Sequence, residues 1–277
     1  MFSIVVPLYN KSYSVKRCID SLLSQRYKNY EIIVVNDGST DSSLSVLTNS
    51  YKSEIQNGCI KIINQHNQGV SVARNNGVQA SRFNYICFLD ADDEWKPGFL
   101  DEIYYLITEC PLADLYCLAH FVSKNGSVPR KPKHGLPDGF IGYIDNFFKV
   151  SLKGDVANSS KVCVRKEALS NIGGFPDGGV TGEDLYTWIM LALNGKVACS
   201  MKYNTIVHQV LDASRFSRIN SVPYPLFYFS KSKKHKKNYY LNRYLFKIFY
   251  VHFLHSLFNF RIKEAGLRLF YAVKMFF

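Results

Sequence analysis

The sequence predicts an α/β fold: a mostly parallel central sheet flanked by helices, followed by a helical tail rich in bases and aromatics. Short continuous apolar runs alternate with segments of helical periodicity, and turn residues close each run. The 277 residues are enough for one large α/β domain with an appendage, and two equal domains fit less well.

Ser3-Ile4-Val5-Val6-Pro7 reads as a buried strand, and Val15, Ile19, Leu22 and Leu23 follow at helical spacing behind a Ser12 cap. Glu31 to Val35 repeats the apolar run. Asn36-Asp37-Gly38-Ser39 supplies a turn, and Leu44, Leu47 and Tyr51 mark the next helix. Ile60 to Ile63 is a third strand, Gly69 to Ala80 a helix, and Tyr85 to Leu89 a fourth strand ending at Asp90. Alternating strands and helices imply parallel pairing, and ligands of parallel sheets bind beyond the carboxyl ends of the strands. Tyr9, Asn10, Asp37 and Asp90 to Asp93 are therefore expected to converge in one crevice. From Asp114 to His208 the pattern is less regular, with a short strand at Lys161 to Val164 and a helix from about Asp184 to Leu193.

Charge and cysteines narrow the class. The net charge of +12 is uneven, with much of the excess after residue 200. Seven isolated cysteines without CxxC spacing read as reduced core thiols of a cytoplasmic protein. The N-terminus enters a strand with no basic region before it, which argues against a secretory leader. No GxGxxG follows the first strand, so a dinucleotide-dependent dehydrogenase is excluded.

Asp90-Ala91-Asp92-Asp93 places several carboxylates directly after a buried strand. Their repulsion is relieved by a hard divalent cation, which characteristically bridges one or two carboxylates to nucleotide phosphates. A solvated acidic turn explains this motif equally well when it is taken alone. Five segments in order carry more weight: Ser3 to Asn10, Glu31 to Asp41, Asn67 to Asn75, Phe88 to Asp93 and Gly182-Glu183-Asp184. Together they closely resemble the family 2 glycosyltransferases, and the resemblance spans about residues 2 to 195.

The resemblance implies a GT-A fold over residues 1–212, with residues 213–277 forming the tail. It also implies a nucleotide-diphosphate sugar donor, Mn²⁺ or Mg²⁺, and inversion at the anomeric carbon. Carried over by position, Pro7, Tyr9 and Asn10 line the base and ribose end, and Asp37 meets the base. Arg74 lies near base or phosphates, Asp90 and Ala91 face the ribose or metal shell, and Asp92 is the metal ligand. Asp93 is a less certain member. An Asx turn would also account for Asp37, and a helix-surface ion pair for Arg74. Asp184 is implied as the base that removes the acceptor proton, whereas Glu183 is read as a complement to the helix dipole. His208 is read as a structural histidine that a metal or diphosphate role would also suit. Arg215 and Arg218 are candidates for a lid over the diphosphate.

The tail runs from Lys231-Ser232-Lys233-Lys234-His235-Lys236-Lys237 into Tyr239 to Leu254, an apolar run interrupted by Lys247 and His252. It is too interrupted to span a membrane, and it reads as an interfacial helix attracted to anionic lipid. The competing reading is a helical hairpin packed on the catalytic domain or on a second subunit of a homo-oligomer. Nucleic acid is ranked low as a partner. The expected protein is a cytoplasmic enzyme, peripheral on the inner face of the cell membrane, that transfers sugar from a UDP-sugar to a lipid-linked saccharide in surface-polysaccharide synthesis. A sugar nucleotidyltransferase and a catalytically degenerate scaffold are the alternatives.

Overall fold

The computed structural model describes residues 1–210, 221–232 and 237–276. The first half follows the expected alternation: β1 (Phe2–Leu8), α1 (Val15–Leu23), β2 (Tyr30–Asp37), α2 (Ser43–Ser50), α3 (Lys52–Gln56), β3 (Ile60–Gln65), α4 (Val70–Ala80) and β4 (Tyr85–Phe88). The second half holds β5 (Glu94–Trp95), α5 (Phe99–Glu109), β6 (Ala113–Lys124), β7 (Ile141–Tyr143), α6 (Phe147–Ser151), β8 (Val162–Arg165), α7 (Lys166–Asn171), α8 (Glu183–Asn194) and β9 (Lys196–Gln209). Three helices close the chain: α9 (Tyr224–Lys231), α10 (Tyr239–Phe258) and α11 (Ile262–Phe276).

Among the described residues the strands form one sheet, in the order β3-β2-β1-β4-β8-β6-β9-β5, with β7 on β9. The four strands read from the sequence pair in parallel, as expected. The remainder, where the sequence pattern is less regular, is mixed. β8 lies antiparallel between β4 and β6, while β6 and β9 run parallel along a bulged ladder. The βαβ crossovers of the first half enforce parallel pairing, whereas the longer connections of the second half, which hold α5 to α8, bring strands back in either direction.

Alternation along β1 divides the core between the two faces of the sheet. Ile4 and Val6 pack with Val15, Ile19 and Leu22 of α1 and with Phe99 and Ile103 of α5. Val5 points the other way, into a core containing Phe88, Phe175 and Trp188, whose rings meet edge-on at 5.1 to 5.6 Å for Phe88–Phe175 and Phe175–Trp188. Six cysteines are buried, and all seven are free thiols.

The tail joins the second core. Leu226 and Phe229 of α9, Leu241, Leu245 and Ile248 of α10, and Met275 of α11 bury against it. Lys247, which interrupts the apolar run, donates to the carbonyls of Ser151 and Leu152 at the end of α6. Arg268 is 1% exposed and ties α11 to the His252 and Ser221 carbonyls. The inner face of the tail is thus a hairpin packed on the catalytic unit, the competing reading above, while its outer face stays exposed. The proposed boundary at 212/213 lies outside the described residues.

Gly77 of α4 touches β1 so closely that a Cβ would stand 2.4 Å from Val5 Cγ1. Alanine adds about 1 kcal/mol of helix propensity, but overpacking a rigid core costs about 1–3 kcal/mol. Gly77→Ala is expected to lower stability by up to about 2 kcal/mol in urea unfolding, and a raised midpoint would contradict this packing.

Candidate functional site

Because β1, β2 and β4 are parallel, their carboxyl ends open on one edge of the sheet, and a cleft of about 470 Å³ lies there. Pro7, Tyr9 and Lys11 enter it from β1, Asp37 from β2, and Asp90 to Asp93 from β4. Arg74 of α4, the Gly178-Gly179-Val180 segment and His208 of β9 complete the lining. Of the donor-side residues expected from sequence, Pro7, Tyr9, Asp37, Arg74, Asp90 and Ala91 line this cleft, and so do Asp92 and Asp93.

Asn10 acts behind the wall. It adopts φ 49°, and its side-chain oxygen accepts from the Thr40 and Asp41 amides, tying the loop after β1 to the loop after β2. The Asx turn belongs to Asn36, whose Oδ1 accepts from the Ser39 amide. Asp37 instead clamps the loop before α4. It accepts from Gln65 Nε2 and the Gln68 amide at 2.8 Å and from the Gly69 amide at 2.9 Å. A carboxylate offers about four acceptor positions, so one remains for a ligand.

Arg74 is 3% exposed and spans two acids, Asp90 at 2.8 Å and Glu183 at 3.2 Å, with its guanidinium 5.2 Å from the Phe175 ring centre. Burial opposes its charge, but Asp90, Glu183 and Asp184 outweigh burial and hold the group protonated. Glu183 lies in the first turn of α8, as its reading as a dipole complement expects, and its carboxylate is in addition buried and paired. Asn75, one residue along α4, exchanges two hydrogen bonds with the Phe175 backbone, which fixes the start of the glycine segment leading to α8.

Asp184 sits in the first turn of α8, where one carboxylate oxygen accepts from the Leu185 amide at 2.7 Å. Burial first, then the neighbouring Glu183 charge, pushes its pKa up to about 7, against the pull of Arg74. A carboxyl poised near neutrality suits proton transfer.

The three aspartates after β4 have different tasks. Asp90 and Asp92 remain part exposed in the cleft, and Asp92 pairs with Lys11 Nζ at 2.9 Å. Asp93 turns inward, accepting from Ser160 Oγ and from the His208 amide. Burial, then the charges of Asp92 and Asp90, raises its pKa well above the carboxylate range. Asp93 therefore pins the end of β9 to the acidic loop. His208 Nε2 lies 2.9 Å from Glu94 Oε1 at the cleft wall, in keeping with a structural histidine. Arg215 and Arg218 lie outside the described residues.

Lys11, Ser160 and Arg17 were not singled out in the sequence. Ser160 also accepts from the Asp90 amide, and its carbonyl accepts from Trp95 Nε1 at 2.7 Å; Arg17 donates to the Asp92 carbonyl at 2.6 Å. Lone serines and basic residues carry no periodicity or motif, so nothing in the sequence marks them.

Two hard carboxylate donors, Asp90 and Asp92, face the cleft beside a crowded third acid, and this set fits Mg²⁺ or Mn²⁺. Among the described residues no group of three His, Cys, Asp or Glu is arranged to hold an ion unaided. Such a cation would fill its shell with phosphate oxygens and water.

A nucleotide-type crevice at the carboxyl ends of a parallel half-sheet, edged with acids, defines the class. The sequence profile of glycosyl transferase family 2 matches residues 3–172, and the chain belongs to that family. Glycosyltransferase GlyA of Streptococcus pneumoniae serotype 4 is 40% identical over 138 residues, which is 50% of this chain and 19% of that protein. The amylovoran biosynthesis glycosyltransferase AmsB of Erwinia amylovora is 38% identical over 109 residues, 38% of this chain and 35% of AmsB. The chain thus spans about a third or less of these relatives. Two solved structures share the fold. S. aureus TarS 1–349 in complex with UDP-GlcNAc has a TM-score of 0.65 at 16% identity, over 99% of this chain and 90% of that one. Mannosyltransferase PcManGT from Pyrobaculum calidifontis, in complex with GDP-Man and Mn²⁺, has a TM-score of 0.62 at 14% identity, over 98% and 74%.

Removing the cation of a buried pair leaves its acids uncompensated, which typically costs about 3–5 kcal/mol. Arg74→Ala is expected to destabilise the fold by that order in chemical denaturation, whereas Lys11→Ala, at a part-exposed pair, should cost under about 1 kcal/mol. Equal effects would contradict the distinction between strut and cleft-wall pair.

Proposed function

We propose that this protein is a metal-dependent, inverting glycosyltransferase. It moves a sugar from a nucleotide-diphosphate sugar, a UDP-sugar, to a hydroxyl of a lipid-linked saccharide in surface-polysaccharide synthesis at the inner face of the cell membrane. The observation that carries the reading is the convergence, in one cleft, of Asp37 from the end of β2 and Asp90 and Asp92 from the loop after β4, with Asp184 beside the Arg74–Glu183 pair. The names of the relatives support it. AmsB is named for amylovoran biosynthesis, TarS is described with UDP-GlcNAc, and PcManGT with GDP-Man and Mn²⁺.

In this reading the remaining acceptor position of Asp37 takes the N–H of a pyrimidine base, and Tyr9 and Pro7 bound the ribose end. Asp92, with Asp90, would hold Mn²⁺ or Mg²⁺, which supplies Lewis-acid neutralisation of the leaving diphosphate. Asp184 accepts the proton of the attacking hydroxyl as the acceptor oxygen bonds to the anomeric carbon. The bond from that carbon to the diphosphate breaks as the new one forms, and its electron pair leaves with the nucleotide. Attack opposite the leaving group inverts the anomeric configuration, so an α-linked donor gives a β-glycoside. The Arg74–Glu183 pair fixes the helix end that carries Asp184.

Asp184 must be ionised to act and is held near pH 7, so kcat/KM should rise with pH up to about 7 and then level. Asp184→Asn should lower single-turnover transfer by about 10²–10⁴-fold, abolish that limb and leave donor affinity intact. Near-normal transfer would refute the base assignment, because asparagine serves equally well at a helix start.

Asp92→Ala is expected to remove the Mn²⁺ dependence of UDP-sugar binding while the protein remains folded, because a part-exposed cleft residue adds little packing. Titration calorimetry with and without Mn²⁺ checks this. Full wild-type transfer in EDTA would overturn the metal role.

A further inference from the structure

Charge is segregated along the chain. Residues 221–277 carry 11 lysines and arginines against a single acid, Glu264, whereas residues 1–220 carry 23 against 21. Almost the whole net charge of +12 therefore belongs to the three C-terminal helices and their connections. These helices use their inner faces for the core, and their outer faces are apolar and open.

The turn between α10 and α11 shows this most plainly. Phe258 is 78% exposed, Phe260 90% and Ile262 67%, next to Arg261 and Lys263. Along α10, Tyr239, Phe246 and Tyr250 are exposed at helical spacing, flanking a shallow groove of about 530 Å³ edged by Arg243. On α11, Leu267, Phe270 and Val273 are exposed beside Lys274. An open apolar surface of this extent marks an interaction site. Among the described residues no helix is long and apolar enough to cross a membrane.

The charge identifies the occupant. A second copy would bring the same cationic face, and like charges repel. Aromatic tips flanked by lysine and arginine match an anionic bilayer surface, where apolar side chains enter the acyl boundary and bases meet the phosphates. We propose that the α10–α11 hairpin seats the protein on anionic lipid, with Phe258 and Phe260 inserted and Lys263 and Lys274 at the headgroups. This deepens the lipid-linked acceptor reading and rests on it for its purpose, though its test does not depend on catalysis. The hairpin packs on the core shared with α8, and Tyr228 of α9 meets Tyr186 of α8 at 4.8 Å. Docking therefore also sets the height of α8, whose first turn carries Asp184, above the lipid.

Co-sedimentation of the full chain with phosphatidylglycerol-containing vesicles and with neutral phosphatidylcholine vesicles tests the proposal. Wild type should bind the anionic vesicles, and salt should weaken binding. The double variant Phe258→Ser, Phe260→Ser should lose at least about tenfold in partitioning, and Lys263→Gln with Lys274→Gln should lose roughly fivefold per charge. Both variants should keep the wild-type melting curve and wild-type transfer to a soluble acceptor analogue. The proposal is overturned by equal binding to neutral vesicles, by no binding, by equally tight binding to an RNA oligomer, or by a dimer that the phenylalanine variant dissolves. Vesicle binding by a chain without transfer activity would sink the functional reading and leave this one standing, and the converse would do the reverse.

Discussion

Five carboxylates, Asp90, Asp92, Asp93, Glu183 and Asp184, crowd one end of the sheet, and each must be neutralised, protonated or kept wet. Arg74 resolves the deepest part of that problem. It lies across Asp90 at the end of β4 and Glu183 at the start of α8, and so joins the parallel half of the fold to the mixed half. Burial and the charges of Asp92 and Asp90 push Asp93 towards its protonated form, against the hydrogen bonds from Ser160 and His208, while Asp92 leans on Lys11 at the cleft wall. Asp184 is lifted to about 7 by burial and the Glu183 charge, against the pull of Arg74. The residue proposed to move a proton is thus the one whose charge the fold leaves least settled.

The same economy explains the second half of the chain. The mixed strands β8, β6 and β9 carry Ser160 and His208 to the back of the acidic loop, so their irregular pairing has a task that a regular parallel sheet would not perform. The C-terminal helices pack against the face of the core that supports α8, so the tail is structurally continuous with the site. Its outer surface bears exposed apolar side chains beside Lys263 and Lys274. One set of helices therefore serves packing on one side and is proposed to serve lipid on the other.

What the sequence disclosed follows from periodicity and position. Continuous apolar runs locate β1 to β4, and their parallel order predicts that Tyr9, Asn10, Asp37 and Asp90 to Asp93 meet at one crevice, whose lining includes all of these but Asn10. The tasks of individual side chains were less legible. Glu183 looked like a helix-dipole residue because its partner, Arg74, is 109 positions away. Asn10 looked like a ligand contact but braces two loops, and Asn36 forms the turn that Asp37 would equally have suited. Ser160 and Lys11 gave no signal at all. The antiparallel insertion of β8 was also hidden, since a four-residue strand has too little pattern to state its direction. Long-range pairing decides these roles, and a single chain does not record it locally.

The central claim is that the cleft between the ends of β1, β2 and β4 holds a nucleotide diphosphate against Asp92, with Asp184 on the acceptor side. A crystal structure of the protein with UDP and Mn²⁺ tests it most directly. The account predicts the base at the Asp37 clamp, the metal bound by Asp92 and the diphosphate, and Asp184 facing open space where an acceptor hydroxyl can approach. Nucleotide bound elsewhere, or in this cleft with Asp92 still paired to Lys11 and no metal between carboxylate and diphosphate, would contradict it.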